Sequence, residues 1–121
     1  MPRIEVFYYH EGGTIPLIQW LDALPVKAQD KCQARLQRLE ELGHELRRPE
    51  ADYLRGDIYE LRASYQGLHY RMLYFFHGRT AVVVSHGIIK DQQVPPREID
   101  VAMKRKEIFH SNPEGHAFKR R

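Results

Sequence analysis

The sequence predicts one α+β domain in which a helical hairpin and a C-terminal helix pack on a small, mainly antiparallel sheet, in the order β-α-α-β-β-β-α. Two patterns carry this prediction. Between Leu54 and Lys90 three apolar and aromatic runs follow one another, separated by short polar or glycine-bearing breaks, as consecutive antiparallel strands do. Before them, apolar residues recur at helical spacing on both sides of Pro25, which reads as two closely linked helices covering the sheet.

In chain order, residues 3–9 alternate around Ile4, Val6 and Tyr8 and end at His10-Glu11-Gly12-Gly13, a strand followed by a glycine turn. Thr14 is placed to cap a helix with Pro16 in its first turn, where a missing amide donor does little harm. Ile15, Ile18, Leu21 and Leu24 mark the apolar face of that helix, with Trp20 beside them. Pro25 stops it and opens a second helix, where Cys32, Leu36, Leu39 and Leu42 recur on one side and Lys31, Arg35, Arg38 and Glu41 face water. Gly43 suits the C-terminal cap.

Residues 45–53 are polar and broken by Pro49, so a connector is expected there. Gly56-Asp57 bends the chain into the first central strand, residues 58–63, and Tyr65-Gln66-Gly67 and His77-Gly78-Arg79 supply the next two turns. After a loop at residues 92–95, Pro96 opens a helix to about His110 that buries Ile99, Ala102, Met103 and Ile108. The helices are expected on one face of the sheet. A single domain then spans residues 1–110, and residues 111–121, with Asn112-Pro113 and Gly115, read as a loosely held basic tail.

A chain of 121 residues builds one hydrophobic core, not two. No apolar run approaches the roughly 18 residues of a membrane span, so no membrane association is expected. The N-terminus lacks the basic, apolar, then small pattern of a secretory signal. The single cysteine, Cys32, excludes an intrachain disulfide and fits a reducing cytoplasm. On an apolar helix stripe it reads as a small buried hydrophobe rather than a nucleophile. One cysteine and scattered histidines argue against a zinc site, and no metal or cofactor is expected. The net charge of +3 is unevenly spread. Residues 1–54 carry 7 Lys/Arg against 9 Asp/Glu, whereas residues 55–121 carry 12 against 7. A basic half of this kind suits a surface that meets nucleic acid or an acidic partner.

Several motifs in series resemble one family. Trp20-Leu21-Asp22-Ala23-Leu24-Pro25, Leu36…Leu39…Leu42-Gly43 and Leu54-Arg55-Gly56-Asp57-Ile58-Tyr59-Glu60-Leu61-Arg62 are followed by Tyr70-Arg71-Met72-Leu73-Tyr74. His86-Gly87-Ile88-Ile89-Lys90 and Pro96-Arg97-Glu98-Ile99-Asp100-Val101-Ala102 complete the series. Together they resemble the HigB-like, phage-derived branch of the RelE/ParE toxin superfamily, over roughly residues 4–108. The resemblance implies the RelE/ParE-like fold and the toxin of a type II toxin–antitoxin pair, cleaving messenger RNA on the ribosome without a metal. It also implies a helix-turn-helix antitoxin, HigA-like, through which alone the pair contacts operator DNA. Glu60 and Asp91 stand where relatives are basic.

Metal-independent RNA cleavage uses the substrate's own 2′-hydroxyl as nucleophile. It needs a base for that proton, cations for the crowded phosphate and an acid for the 5′-oxygen. Arg62 and Arg71 are the expected phosphate ligands, because a planar guanidinium fork bonds two phosphate oxygens and keeps its charge. Strand parity puts Glu60 and Arg62 on one face and Arg71 with Leu73 and Phe75, while register leaves open whether those faces coincide. Lys90 is a candidate phosphate contact or general acid, and His86 a candidate base or acid. Tyr74 is a candidate for stacking on a base, and Arg55 and Arg79 are further candidate RNA contacts. Glu60 either replaces a lysine as general base or holds Arg62 or Arg71 in position. His69 and His77 read as strand or turn residues. In the tail, His110, His116, Lys119, Arg120 and Arg121 either add phosphate contacts or form a solvated end.

Two other readings stand beside the ribonuclease. The same fold supports a ParE-like poison of DNA gyrase, and it also supports a catalytically degenerate toxin that acts only as a partner of its antitoxin.

Overall fold

The computed structural model describes residues 3–119. The elements are β1 (Glu5–Tyr9), α1 (Pro16–Asp22), α2 (Val26–Leu42), β2 (Ala51–Arg55), β3 (Ile58–Tyr65), β4 (Leu68–His77), β5 (Ala81–Ile89), α3 (Pro96–Ser111), α4 (Pro113–His116) and β6 (Ala117–Lys119). A single 3-10 turn at Gly43–Glu45 follows α2. The strands form one six-stranded sheet in the order β2-β3-β4-β5-β1-β6, antiparallel throughout except where β1 runs parallel to β5. The architecture is therefore α+β with a mostly antiparallel sheet.

The central hairpins follow from turn chemistry. At Gly56-Asp57 and at Gln66-Gly67 both central residues have positive φ, the geometry that two-residue hairpin turns need to match strand twist. The first of these turns joins β2 to β3, so the segment expected as a plain connector carries an edge strand. Asp52 and Arg55 are tolerated there because an edge strand keeps one side in water. The alternation Ala51 buried, Tyr53 exposed is too short to stand out among polar neighbours.

In α1 the position before the helix is Ile15, without a side-chain cap, instead of Thr14, whose backbone pairs with Glu11. Leu17 and Leu21 form the buried stripe, while Ile15 and Ile18 pack at its margin. In α2 Cys32, Leu36 and Leu39 are buried, as their spacing predicts, Leu42 is only partly buried, Ala28 joins the buried face, and Gly43 ends the helix at φ 53°. Burial pushes the Cys32 thiol up to about 12, so it stays a thiol at neutral pH.

The helices lie on both faces of the sheet, not on one. Leu17, Leu36 and Leu39 pack with Leu61, Met72 and Val82 on one face. On the other, Ile99, Ala102 and Phe109 of α3 pack with Ile58, Leu73, Phe75 and Val83. The reason lies in the strands: β4 is apolar on both faces through Tyr70, Met72, Leu73, Tyr74 and Phe75, and each face needs a cover.

Residues 112–119 are held to the domain rather than trailing from it. The Asn112 side chain accepts from the Gly115 amide and starts the short turn α4. β6 then pairs with β1, placing Phe118 opposite Tyr8, and His116 stacks on Tyr9 at 5.5 Å between ring centroids. Arg120 and Arg121 lie outside the described residues. No helix among the described residues is long and apolar enough to cross a membrane.

Candidate functional site

Register decides which side chains meet. β3 and β4 pair Ser64 with His69, Arg62 with Arg71 and Glu60 with Leu73. β4 and β5 pair Arg71 with Ile88 and Leu73 with His86, and the Lys90 amide donates to the His69 carbonyl at 3.0 Å. Alternate residues share a face, so these pairs stack as three rows on the α3 side of the sheet, about 7 Å apart along the strands. The rows are Ser64–His69–Lys90, Arg62–Arg71–Ile88 and Glu60–Leu73–His86. α3 starts at Pro96 and covers the third row, while the first row is exposed. Arg62 and Arg71 thus share a face and sit directly opposite each other.

Two guanidiniums side by side repel unless something lies between them. Glu60, 2% exposed, fills that role. Arg71 Nη1 donates to Glu60 Oε1 at 2.6 Å, and Arg62 Nε and Nη2 donate to Glu60 Oε2 at 3.1 and 2.8 Å. Arg71 Nε also donates to the Lys90 carbonyl at 3.2 Å, and Arg62 Nη2 reaches Asp52 Oδ2 at 3.3 Å. Asp52 in turn accepts from Arg48, which with the Tyr53 amide and Arg62 holds its carboxyl below the usual range against the opposing effect of burial. Arg62 is pinned along the Nε–Nη2 edge of its fork, and Arg71 through Nε and Nη1. No described residue bonds Arg62 Nη1 or Arg71 Nη2.

The network floors a cleft of ≈ 830 Å3 that gathers Arg48, Arg55, Arg62, Arg71 and Lys90 against only Asp52 and Glu60 as carboxylates. Gln92 and Gln93 form part of its wall. Beyond Arg62, β3 runs past the end of β2, and a second groove of ≈ 630 Å3 opens on the other side of the Arg62–Arg71 pair. Lys31 and Arg35 of α2, Ser64 and His69 line it, and no carboxylate does. Arg35 fixes that wall by donating to the Arg62 carbonyl at 2.8 Å and to Glu50 at 2.6 Å.

Of the residues singled out in the sequence, Arg62, Arg71, Lys90, Arg55 and Glu60 line the cleft. Arg55 is tied to α3, donating to Asp100 at 2.8 Å and to the Pro96 carbonyl at 3.3 Å. Three others are placed elsewhere. His86 sits under α3, 9% exposed, between Ser85 Oγ at 2.7 Å and Glu98 Oε1 at 2.9 Å. Burial holds its pKa below the ordinary value, with Arg105 adding to the depression and Glu98 opposing it. Tyr74 points to the hairpin face, 1% exposed and stacked on Tyr59 at 5.4 Å, so no base reaches it. Burial raises its pKa well above the ordinary tyrosine value. Arg79 lies in the turn between β4 and β5, about 20 Å from Arg71 along the strand.

The structure also gathers residues to which the sequence reading assigned no function: Arg48, Lys31, Arg35, Gln92, Gln93 and His69. Arg48 was masked by its place in an apparent connector, and His69 by lying next to a turn. In the tail Lys119 pairs with Glu5 at 3.0 Å, and His110, in α3, lies 2.7 Å from His77, both away from the cleft. No group of three or more His, Cys, Asp or Glu among the described residues is gathered to hold a metal ion.

The cleft is open and lined mainly by cations, so its field favours a negatively charged surface. Residues 19–107 match the family model of phage-derived Gp49-like proteins (DUF891), and the chain belongs to that family. The family is one of toxin–antitoxin toxins of RelE/ParE-like type, which implies an antitoxin partner. A search of curated proteins finds no match.

Proposed function

We propose that the protein is a toxin of the HigB-like branch, with the RelE/ParE fold, that cleaves messenger RNA on the ribosome without a metal ion. The observation that carries this reading is the pair Arg62–Arg71, directly opposite on adjacent strands and held by the buried Glu60 within a cleft of five cations. A scissile phosphate gains charge on its non-bridging oxygens in the transition state. Two guanidiniums already fixed in place stabilise that charge without reorganising. Arg62 Nη1 and Arg71 Nη2 are the donors left for it. Lys90 adds a third cation and, as an ammonium, a proton for the leaving oxygen.

The antitoxin in this reading is a HigA-like helix-turn-helix protein that covers the basic cleft and carries the pair to operator DNA. The protein acts in the cytoplasm, where its substrate is.

Induction in growing cells with mapping of RNA ends tests the proposal. New 5′ ends inside transcripts are expected, and Arg71→Ala is expected to abolish them. Unchanged transcripts with normal growth overturn the reading; a DNA-damage response with intact transcripts replaces it with a gyrase poison.

A further inference from the structure

Resting on that reading, we infer that the groove beside the cleft holds the nucleotide whose 2′-hydroxyl attacks, and that His69 Nε2 is the base that takes its proton. The reaction needs a proton acceptor on one side of the phosphate and a donor on the other. In the cleft, Glu60 is occupied by two arginines, and His86 is closed off by α3. His69 is exposed and lines the groove one row from Arg71, whereas Lys90 lines the cleft on the other side of the arginine pair. A spacing of about 7 Å between rows lets side chains on adjacent rows converge on a 2′-oxygen and the phosphorus it attacks, reacting atoms about 3–3.5 Å apart.

The imidazole is also oriented. Ser64 Oγ lies 3.3 Å from His69 Nδ1. With Nδ1–H donating to that hydroxyl, Nε2 carries the lone pair, and no described residue bonds it. Ser64 is therefore a positioning residue. Lys31 and Arg35 line the same groove and offer charge to the phosphate on the far side of that nucleotide.

The step balances without a co-reactant. Nε2 takes the 2′-hydroxyl proton as the 2′-oxygen bonds to phosphorus. The bond from phosphorus to the 5′-oxygen breaks, and that oxygen leaves with a proton from the Lys90 ammonium. The products are a 2′,3′-cyclic phosphate end and a 5′-hydroxyl end. Proton exchange with water returns His69 and Lys90 to their starting forms.

The test uses the full chain with ribosomes programmed by a short messenger RNA, and the same RNA free in solution. His69→Ala and His69→Gln, both at an exposed position, are expected to fold and bind RNA as the parent does. Their single-turnover cleavage is expected to fall about 10²–10⁴-fold. Added imidazole is expected to restore part of the His69→Ala rate and none of an Arg71→Ala rate. If the His69 variants cut at the parental rate while Arg71→Ala does not cut, the inference fails and the proposed function stands. If imidazole rescues nothing, His69 is not the base. If the parent cuts neither RNA, the proposed function fails and takes this inference with it.

Discussion

Arg71 Nη1 meets Glu60 Oε1 at 2.6 Å across two adjacent strands, and the Glu60 side chain is almost sealed from water. The other carboxylate oxygen holds Arg62, so one buried anion keeps two like charges side by side. An acidic residue in a basic cleft is thus part of how the cleft is built.

Removing that anion is expected to cost stability as well as activity. In Glu60→Ala two partly buried guanidiniums lose their partner, a loss of about 3 kcal/mol for a buried pair broken on one side. Urea unfolding measures it. A midpoint equal to the parent's would show that water replaces the carboxylate at no cost.

Lys90 and Arg79 make opposite predictions from the same charge. Lys90 lines the cleft, whereas Arg79 sits in the turn at the far end of β4 and β5. Lys90→Ala is expected to weaken binding to single-stranded RNA and to lower the slope of log K against log salt by about 0.7, the share of one phosphate contact. Arg79→Ala is expected to change neither. Fluorescence anisotropy over a salt series reads both.

His86 makes stability depend on pH. Buried between Ser85 and Glu98 and faced by Arg105, it has a folded pKa below the ordinary 6.5. The unfolded chain then binds the proton first as pH falls, so stability is complete above 6.5 and is lost downward through the folded value. His110, lowered by burial and by His77 and Lys106, acts in the same direction. His86→Gln is expected to flatten the fall in unfolding free energy as pH drops below 6.5. Parallel curves for parent and variant would assign the fall to other groups.

Gly87 is where β5 admits the Trp20 ring. A Cβ at this position would overlap the six-membered ring of Trp20, itself packed edge-on to Tyr70 at 6.1 Å. Gly87→Ala is expected to destabilise by about 2 kcal/mol or more through overpacking, with a shift in tryptophan emission. Unchanged emission and stability would mean that α1 moves aside freely.

Much of the fold is legible in local chemistry. The α2 stripe, the positive-φ turn at Gln66-Gly67 and the three central strands each follow from a pattern within a dozen residues. β2 and β6 escaped because edge strands are short and bear polar residues, and their partners lie outside their own segment. The candidate site was half legible. Arg62, Arg71 and Lys90 stand out as cations in strands, whereas Arg48 and His69 join them only through pairing that sequence spacing does not specify.

The sequence by itself determined the helical hairpin, α3, β1 and the three central strands, the parity that puts Glu60 with Arg62 and Arg71 with Leu73, and the excess of positive charge in the second half. Tertiary structure decided which strand stands opposite which, and which face α3 covers. His69 and His86 both face the α3 side of the sheet. The helix begins at Pro96, and its Glu98 closes over His86 while His69 stays in water. The physical reason is the reach of the apolar surface. Ile99, Ala102 and Phe109 seek Leu73, Phe75 and Val83, and that patch ends where the arginines begin.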